Sequence, residues 1–121
     1  MEKRNLEELF SHVNAYFSPK IVGEVNEVFI KIAKIKGREV PWHTHDKEDE
    51  MFYVVKGVLV MEIEGEESFD LGPGEFFIVK KGTRHRIHSD DECRIMLVEN
   101  KATKHTGEVQ SKITKSIEKQ Y

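Results

Sequence analysis

Apolar positions along this chain change period near residue 20. Before that point Leu6, Leu9, Phe10, Val13 and Phe17 recur at i, i+3, i+4, i+7 and i+11, one face of a helix. Asn5 stands where an N-cap is needed, and Glu8 three residues later gives a capping-box-like pattern. Ser18-Pro19 ends the segment, because proline cannot continue a helix. The stripe predicts a short helix laid over an opening or edge of the main fold. A partner-binding helix has only the aromatics Phe10, Tyr16 and Phe17 in its favour.

From Ile21 the pattern becomes that of strands. Ile21-Val22 and Val28 to Ile35 are rich in β-branched residues, and Gly37 breaks the run. Glu50 to Val55 is turned by Lys56-Gly57 into Val58 to Ile63, and Glu64-Gly65 is a further hairpin signal. Ser68 to Leu71 precedes the turn cluster Gly72-Pro73-Gly74. Phe76 to Val79, Arg84 to His88 and Cys93 to Glu99 follow, the last two separated by an acidic turn at Asp90-Asp91-Glu92. Short strands at even spacing with glycine-rich turns predict an all-β sandwich or barrel. From Lys101 the chain is polar, with Ile113 and Ile117 the one pair able to share a helical face and a charge balance of +3. The expected organisation is an N-terminal helix packed on the barrel over 1–19, a barrel over 20–100, and a solvated or frayed polar tail over 101–121.

Length and composition narrow the setting. The 121 residues fit one domain with one core. A net charge of −3 argues against a dedicated nucleic-acid surface, which is usually basic. Cys93 is the only cysteine and has no internal partner, so a reducing cytoplasm is expected. No secretory apolar run opens the chain, and none approaches the roughly 20 residues that cross a bilayer, so no membrane partner is expected.

Candidate chemistry sits at His43-Thr44-His45. Two histidines at i, i+2 share a face of an extended segment. Glu50 can swing onto the same cavity if Asp46 to Asp49 form a loop, and His85 follows Gly82-Thr83-Arg84. Imidazole nitrogen with carboxylate oxygen suits a divalent first-row transition metal. The spacing is more specific still: Gly37, five residues, His43, one residue, His45, four residues, Glu50, six residues, Gly57. Gly74, seven residues, Gly82, two residues, His85 adds a second cluster. In these two motifs the chain resembles a small single-domain cupin over roughly Val28 to Glu99. Lys80 stands where the second motif usually has proline, and Ser89 where it usually has asparagine. Neither is a ligand position in the family.

The resemblance implies an antiparallel jelly-roll barrel with a metal held by His43, His45, Glu50 and His85. It also implies a homodimer, for which outward Val58 and Val60 offer a physical reason. Three histidines and a glutamate leave up to two octahedral positions for water or substrate, and Fe, Mn, Ni, Zn, Co or Cu all accept such donors. Strand parity places Glu50, Phe52 and Val54, then Leu59, Met61 and Ile63, then His85 and Ile87 on inward faces. Phe52, Leu59, Met61 and Ile87 would then wall a mostly apolar cavity. Tyr53 has the wrong parity, and no further inward Asp, Glu, His or Lys is evident to serve as a general base.

Other positions read as structural. His88 is expected to face away from His85 on the surface, and His12 and His105 to be solvated. Arg84 and Arg86, with Lys80 and Lys81 nearby, are read as a solvated face able to receive an acidic partner. Trp42 is opposite in parity to His43 and is expected under the rim or at an interface. Asp46-Lys47-Glu48-Asp49 reads as a solvated loop, and nothing local activates Cys93. Gly72-Pro73-Gly74-Glu75 is a turn, since Phe77 stands where a dinucleotide fingerprint needs glycine. The expected function is a metal-dependent enzyme of dioxygenase or isomerase type acting on a small oxygen-rich metabolite. A non-catalytic metal-dependent small-molecule binding module is the alternative, ahead of a storage barrel with a vestigial site.

Overall fold

The computed structural model describes residues 1–103, 106–107 and 114–121, the side chains of Ile117 and Glu118 excepted. His105, Ile113 and the predicted Ile113/Ile117 pairing lie outside the described residues. Seven antiparallel strands follow a short helix: α1 Leu6–Ser11, β1 Lys20–Val25, β2 Val28–Gly37, β3 Glu50–Lys56, β4 Leu59–Ile63, β5 Phe69–Leu71, β6 Phe76–Val79 and β7 His85–Asn100. A four-residue helix, α2 Ile117–Gln120, lies near the C-terminus.

Hydrogen-bonded order runs β1-β2-β7-β3-β6, while β4 pairs with both β5 and β7. The long β7 therefore serves two sheets. Its start, His85 to His88, pairs with β4, and its end, Cys93 to Asn100, pairs with β2 and β3. The acidic turn expected at Asp90-Asp91-Glu92 is instead part of this one strand. Ser89 lies where the strand passes between sheets, its hydroxyl 2.7 Å from the carbonyl oxygens of both Val58 and Asp91. The core between the sheets holds Ala33, Ile35, Phe52, Val54, Leu59, Met61, Ile87, Cys93 and Ile95. Inward parity is as read from the sequence for β3, the start of β4 and the start of β7. The fold is an all-β antiparallel jelly roll with a short N-terminal helix.

Asn5 caps α1 through its side-chain oxygen, which accepts from Glu8 N–H at 3.0 Å. The helix stops at Ser11, six residues short of Phe17. Val13 and Phe17 are buried all the same, reached by irregular backbone. Lys34 Nζ donates to Val13 O at 3.0 Å, and Phe17 N donates to Lys34 O at 2.9 Å, so β2 satisfies groups that a longer helix would have paired internally. Phe10 and Val13 of this segment pack on Ile32 with Val55 and Met96 alongside, covering one end of the outer face of the sheet.

Apolar residues run on across that face to an open end at β6. Ile30, Val98, Met51 and Ile78 lie opposite one another across β2, β7, β3 and β6, and Ile32, Met96, Tyr53 and Phe76 form the next such row. Phe76 is 59% exposed and Ile78 41%. Both sit on β6, which ends the strand order.

Positions 101–121 were expected to be solvated. Thr103, Thr106 and Gln120 are instead buried. Tyr121 meets Phe29 edge-on at 5.9 Å, and its hydroxyl donates to Glu24 Oε1 at 2.9 Å. Lys101, Gln120 and Tyr121 find polar partners on the barrel, which helps a stretch of low hydropathy to pack.

Candidate metal centre

His43 and His85 come together through an isolated antiparallel bridge. Gly82, held at φ +80°, donates its N–H to His45 O at 2.8 Å, so the two motif clusters are stitched through backbone. Glu50 opens β3 with the inward parity of Phe52 and Val54. The loop between is fastened as well: Asp49 Oδ1 accepts from Lys81 N–H at 2.9 Å, and Lys80 Nζ lies 3.5 Å from Asp49. Lys80 thus has an acidic partner within the chain.

All four predicted ligands are buried, and one candidate ligand atom from each lies within 4.8 Å of the others. Glu50 Oε1 is 3.4 Å from His45 Nε2 and 3.6 Å from His85 Nε2. The ring nitrogens are already assigned by their neighbours. His43 Nδ1 lies 2.8 Å from Pro41 O, and His85 Nδ1 lies 3.0 Å from Thr83 O. A carbonyl only accepts, so each Nδ1 carries the proton and each Nε2 presents a lone pair. Glu50 Oε1 and His85 Nε2 are buried and have no hydrogen-bond partner. Buried polar atoms are seldom left so, and a divalent ion would satisfy them together. Burial and the neighbouring His85 push the His43 imidazole down to about 4, so it is neutral at pH 7, as a ligand must be. The residues fit a metal ion.

Burial alone would raise the Glu50 carboxyl, but the neighbouring Glu99, His45 and His85 hold it well below the usual range. Glu99 is its opposite. Burial, then the charge of Glu50, pushes it well above the usual range against the pull of Lys31. Of the two carboxyls, Glu99 takes a proton first.

Lys31 and Glu99 correct the expectation that no further ionisable group points inward. Lys31 is 1% exposed and Glu99 4%, with Lys31 Nζ 2.6 Å from Glu99 Oε1. The signal was in the sequence: Lys31 has the parity of Phe29, Ala33 and Ile35, and Glu99 that of Ile95 and Leu97. Neither lines the cavity beside the ligands, whose walls include His43, Glu50, Phe52, Ile87, Leu97 and Thr106. Its space for water-sized atoms is about 50 Å³, a few waters at about 10–15 Å³ each. Leu59 and Met61, expected on this wall, lie in the core away from it. Ile63 is the β4 residue level with His85, so Met61 and Leu59 fall successively further along β7. Phe17, Pro19 and Thr106 close the cavity instead, from segments that strand parity could not place.

The remaining candidates stay outside the centre. Trp42 is covered by two guanidinium groups, with Arg84 Cζ 5.2 Å and Arg86 Cζ 4.6 Å from its ring centre. Arg84 pairs with Glu64 at 2.9 Å and Arg86 with Glu62 at 2.7 Å. His88 faces away from His85 as expected but is buried rather than surface, its Nδ1 3.2 Å from Glu62 Oε2. His12 is exposed. Burial pushes the Cys93 thiol up to about 11, so it is inert. No helix among the described residues is long and apolar enough to cross a membrane.

Comparison with known proteins agrees with this geometry. The uncharacterized protein YdbB of Bacillus subtilis is 32% identical over 80 residues, covering 66% of this chain and 70% of its own. The tetracenomycin polyketide synthase protein TcmJ of Streptomyces glaucescens is 33% identical over 75 residues, which is 62% of this chain and only 50% of TcmJ. A cupin-2 domain protein from Shewanella frigidimarina superposes with a TM-score of 0.77 at 32% identity, covering 80% of this chain and 93% of that one. The Cupin domain family model matches residues 33–99, more than half of the chain and all four candidate ligands. This chain belongs to the cupin family.

Proposed function

We propose that this cupin holds one divalent transition-metal ion, Fe, Mn, Ni, Zn, Co or Cu, at His43, His45, Glu50 and His85 and acts on a small oxygen-rich metabolite. The observation that carries the reading is the pair of partnerless buried atoms, Glu50 Oε1 and His85 Nε2, beside two histidines whose Nδ1 protons are committed to carbonyls. A bound ion would supply Lewis acidity to a substrate carbonyl or enediol and, if redox-active, an electron path. The chain's own part is to keep Nε2 aimed inward and to line the cavity with apolar walls. Phe52, Ile87, Ile95 and Leu97 do the second. Among the described residues, the only cavity-lining side chains able to take a proton are the ligands His43 and Glu50. That supports oxygen chemistry of the dioxygenase type over isomerisation, which needs a positioned base.

A non-catalytic binding module is the second reading, and one observation favours it. Thr106 and Gly107 lie over the ligand segment, and the enclosed space is only about 50 Å³. Oxygen uptake by the metal-loaded chain with a panel of enediols, catechols and 2-oxo acids separates the two. Uptake with one class supports the enzyme. No uptake, with a metal-dependent rise in melting temperature for one class, supports the binder.

For a partner we propose a second copy of this chain, docked on the outer face that carries Phe76 and Ile78. Two registered apolar rows running to an end strand support it, because such a surface is a liability if left in water.

A further inference from the structure

Lys31 is the residue of the interior that composition least prepares for. Lysine is almost never fully buried unless paired. Here the ammonium reaches Glu99 Oε1 at 2.6 Å and donates a further hydrogen bond to Gln120 Oε1. Removing an ammonium and a carboxyl from water is costly, and an apolar pair of similar size would often hold the fold as well. The cluster calls for a use other than packing.

Its position supplies one. Glu99 stands directly across from Glu50 between β7 and β3, and directly across from Phe29 on β2. Lys31 lies two residues along β2 on the same inward face. Both carboxyls are buried on that face, and Glu50 Oε1 is turned toward His45 and His85. The last torsion of a glutamate is broad, so the direction its two oxygens take is decided by whatever holds them. We propose that Lys31 and Glu99 are positioning residues of the metal centre: Lys31 anchors Glu99, and Glu99 fixes the Glu50 carboxylate with Oε1 facing the histidines. Gln120 completes the anchor from the C-terminal segment. The inference rests on the metal reading above and deepens it, by assigning affinity for the ion to groups that do not touch it.

The test uses the full chain with Co²⁺ alone as the probe, its affinity measured against a competing chelator and its geometry by the visible d–d absorption. The variant Lys31→Met/Glu99→Leu removes the pair as a unit and strands no buried charge. Glu99→Ser, which admits water in place of the carboxyl, is measured alongside in case the apolar pair does not fold. Glu99→Gln keeps an amide donor toward Glu50 and an acceptor for Lys31. Expected is a loss of Co²⁺ affinity of about 10- to 100-fold with an altered d–d spectrum in the first two variants, and recovery to within about threefold of wild type in Glu99→Gln. A pair that only stabilises the fold would lower the melting temperature and leave affinity and spectrum unchanged, which overturns the proposal. Wild-type chain that takes up no Co²⁺ overturns the metal reading and this inference together, so the two failures are distinguishable.

Discussion

His43 and His85 hold each other by main chain: His43 N–H donates to His85 O at 3.0 Å and His85 N–H to His43 O at 2.9 Å. Two residues read from separate sequence motifs are thus one hydrogen-bonded pair, with ring centres 4.4 Å apart. Their proximity is fixed by backbone before any ion arrives. An ion would then meet a preformed set of donors, with little ordering entropy left to oppose binding.

Burial of His43, with His85 beside it, makes the metal-free chain acid-sensitive. His43 titrates at about 4 in the fold, against about 6.5 in the unfolded chain. Between these values the unfolded state binds the extra proton, so stability is intact above about pH 6.5 and falls as the pH drops toward 4. The loss from this residue should reach about 3 kcal/mol at the lower end. Urea unfolding of metal-free protein at pH 7 and at pH 4.5 measures it, and His43→Gln should flatten the difference.

Gly107 meets the ligand segment at closest range. A Cβ built there would lie 2.4 Å from Thr44 O and 3.2 Å from His43 Cδ2, and the residue has φ +60°. Gly65 also has positive φ, +83°, but nothing lies within 4 Å of its Cβ position. Gly107→Ala should therefore cost about 1–3 kcal/mol more than Gly65→Ala in urea unfolding. Equal costs would mean that the C-terminal segment does not sit on the centre.

On the outer face, Phe76→Glu with Ile78→Lys should convert the proposed dimer to a folded monomer. Sedimentation at matched concentrations reads the mass, and far-ultraviolet circular dichroism confirms that the fold is kept. A wild-type chain that sediments as a monomer contradicts the docking proposal.

Much of this was legible in the residues themselves. Period-two alternation located the strands, and glycine spacing brought the four ligands into register. Gly57 shows why such a position is glycine: a Cβ there would fall 2.5 Å from Glu92 O, with φ +88°. What escaped is what alternation does not encode. The helical spacing of Val13 and Phe17 predicts a longer helix, yet their backbone bonds go to β2. Lys31 and Glu99 depart from the usual outward placement of charged residues, although their parity points in. Thr106 is buried, Gly107 lies against Thr44, and Gln120 bonds Lys31, none of which a hydrophobic pattern reports.

The central claim is that His43, His45, Glu50 and His85 hold an ion. Elemental analysis of protein purified without chelator from metal-replete culture tests it most directly, with His45→Ala and Glu50→Gln prepared in parallel. The account predicts close to one transition-metal ion per wild-type chain and a loss of nearly all of it in both variants. Wild-type protein free of metal, or variants that retain it in full, would contradict the account.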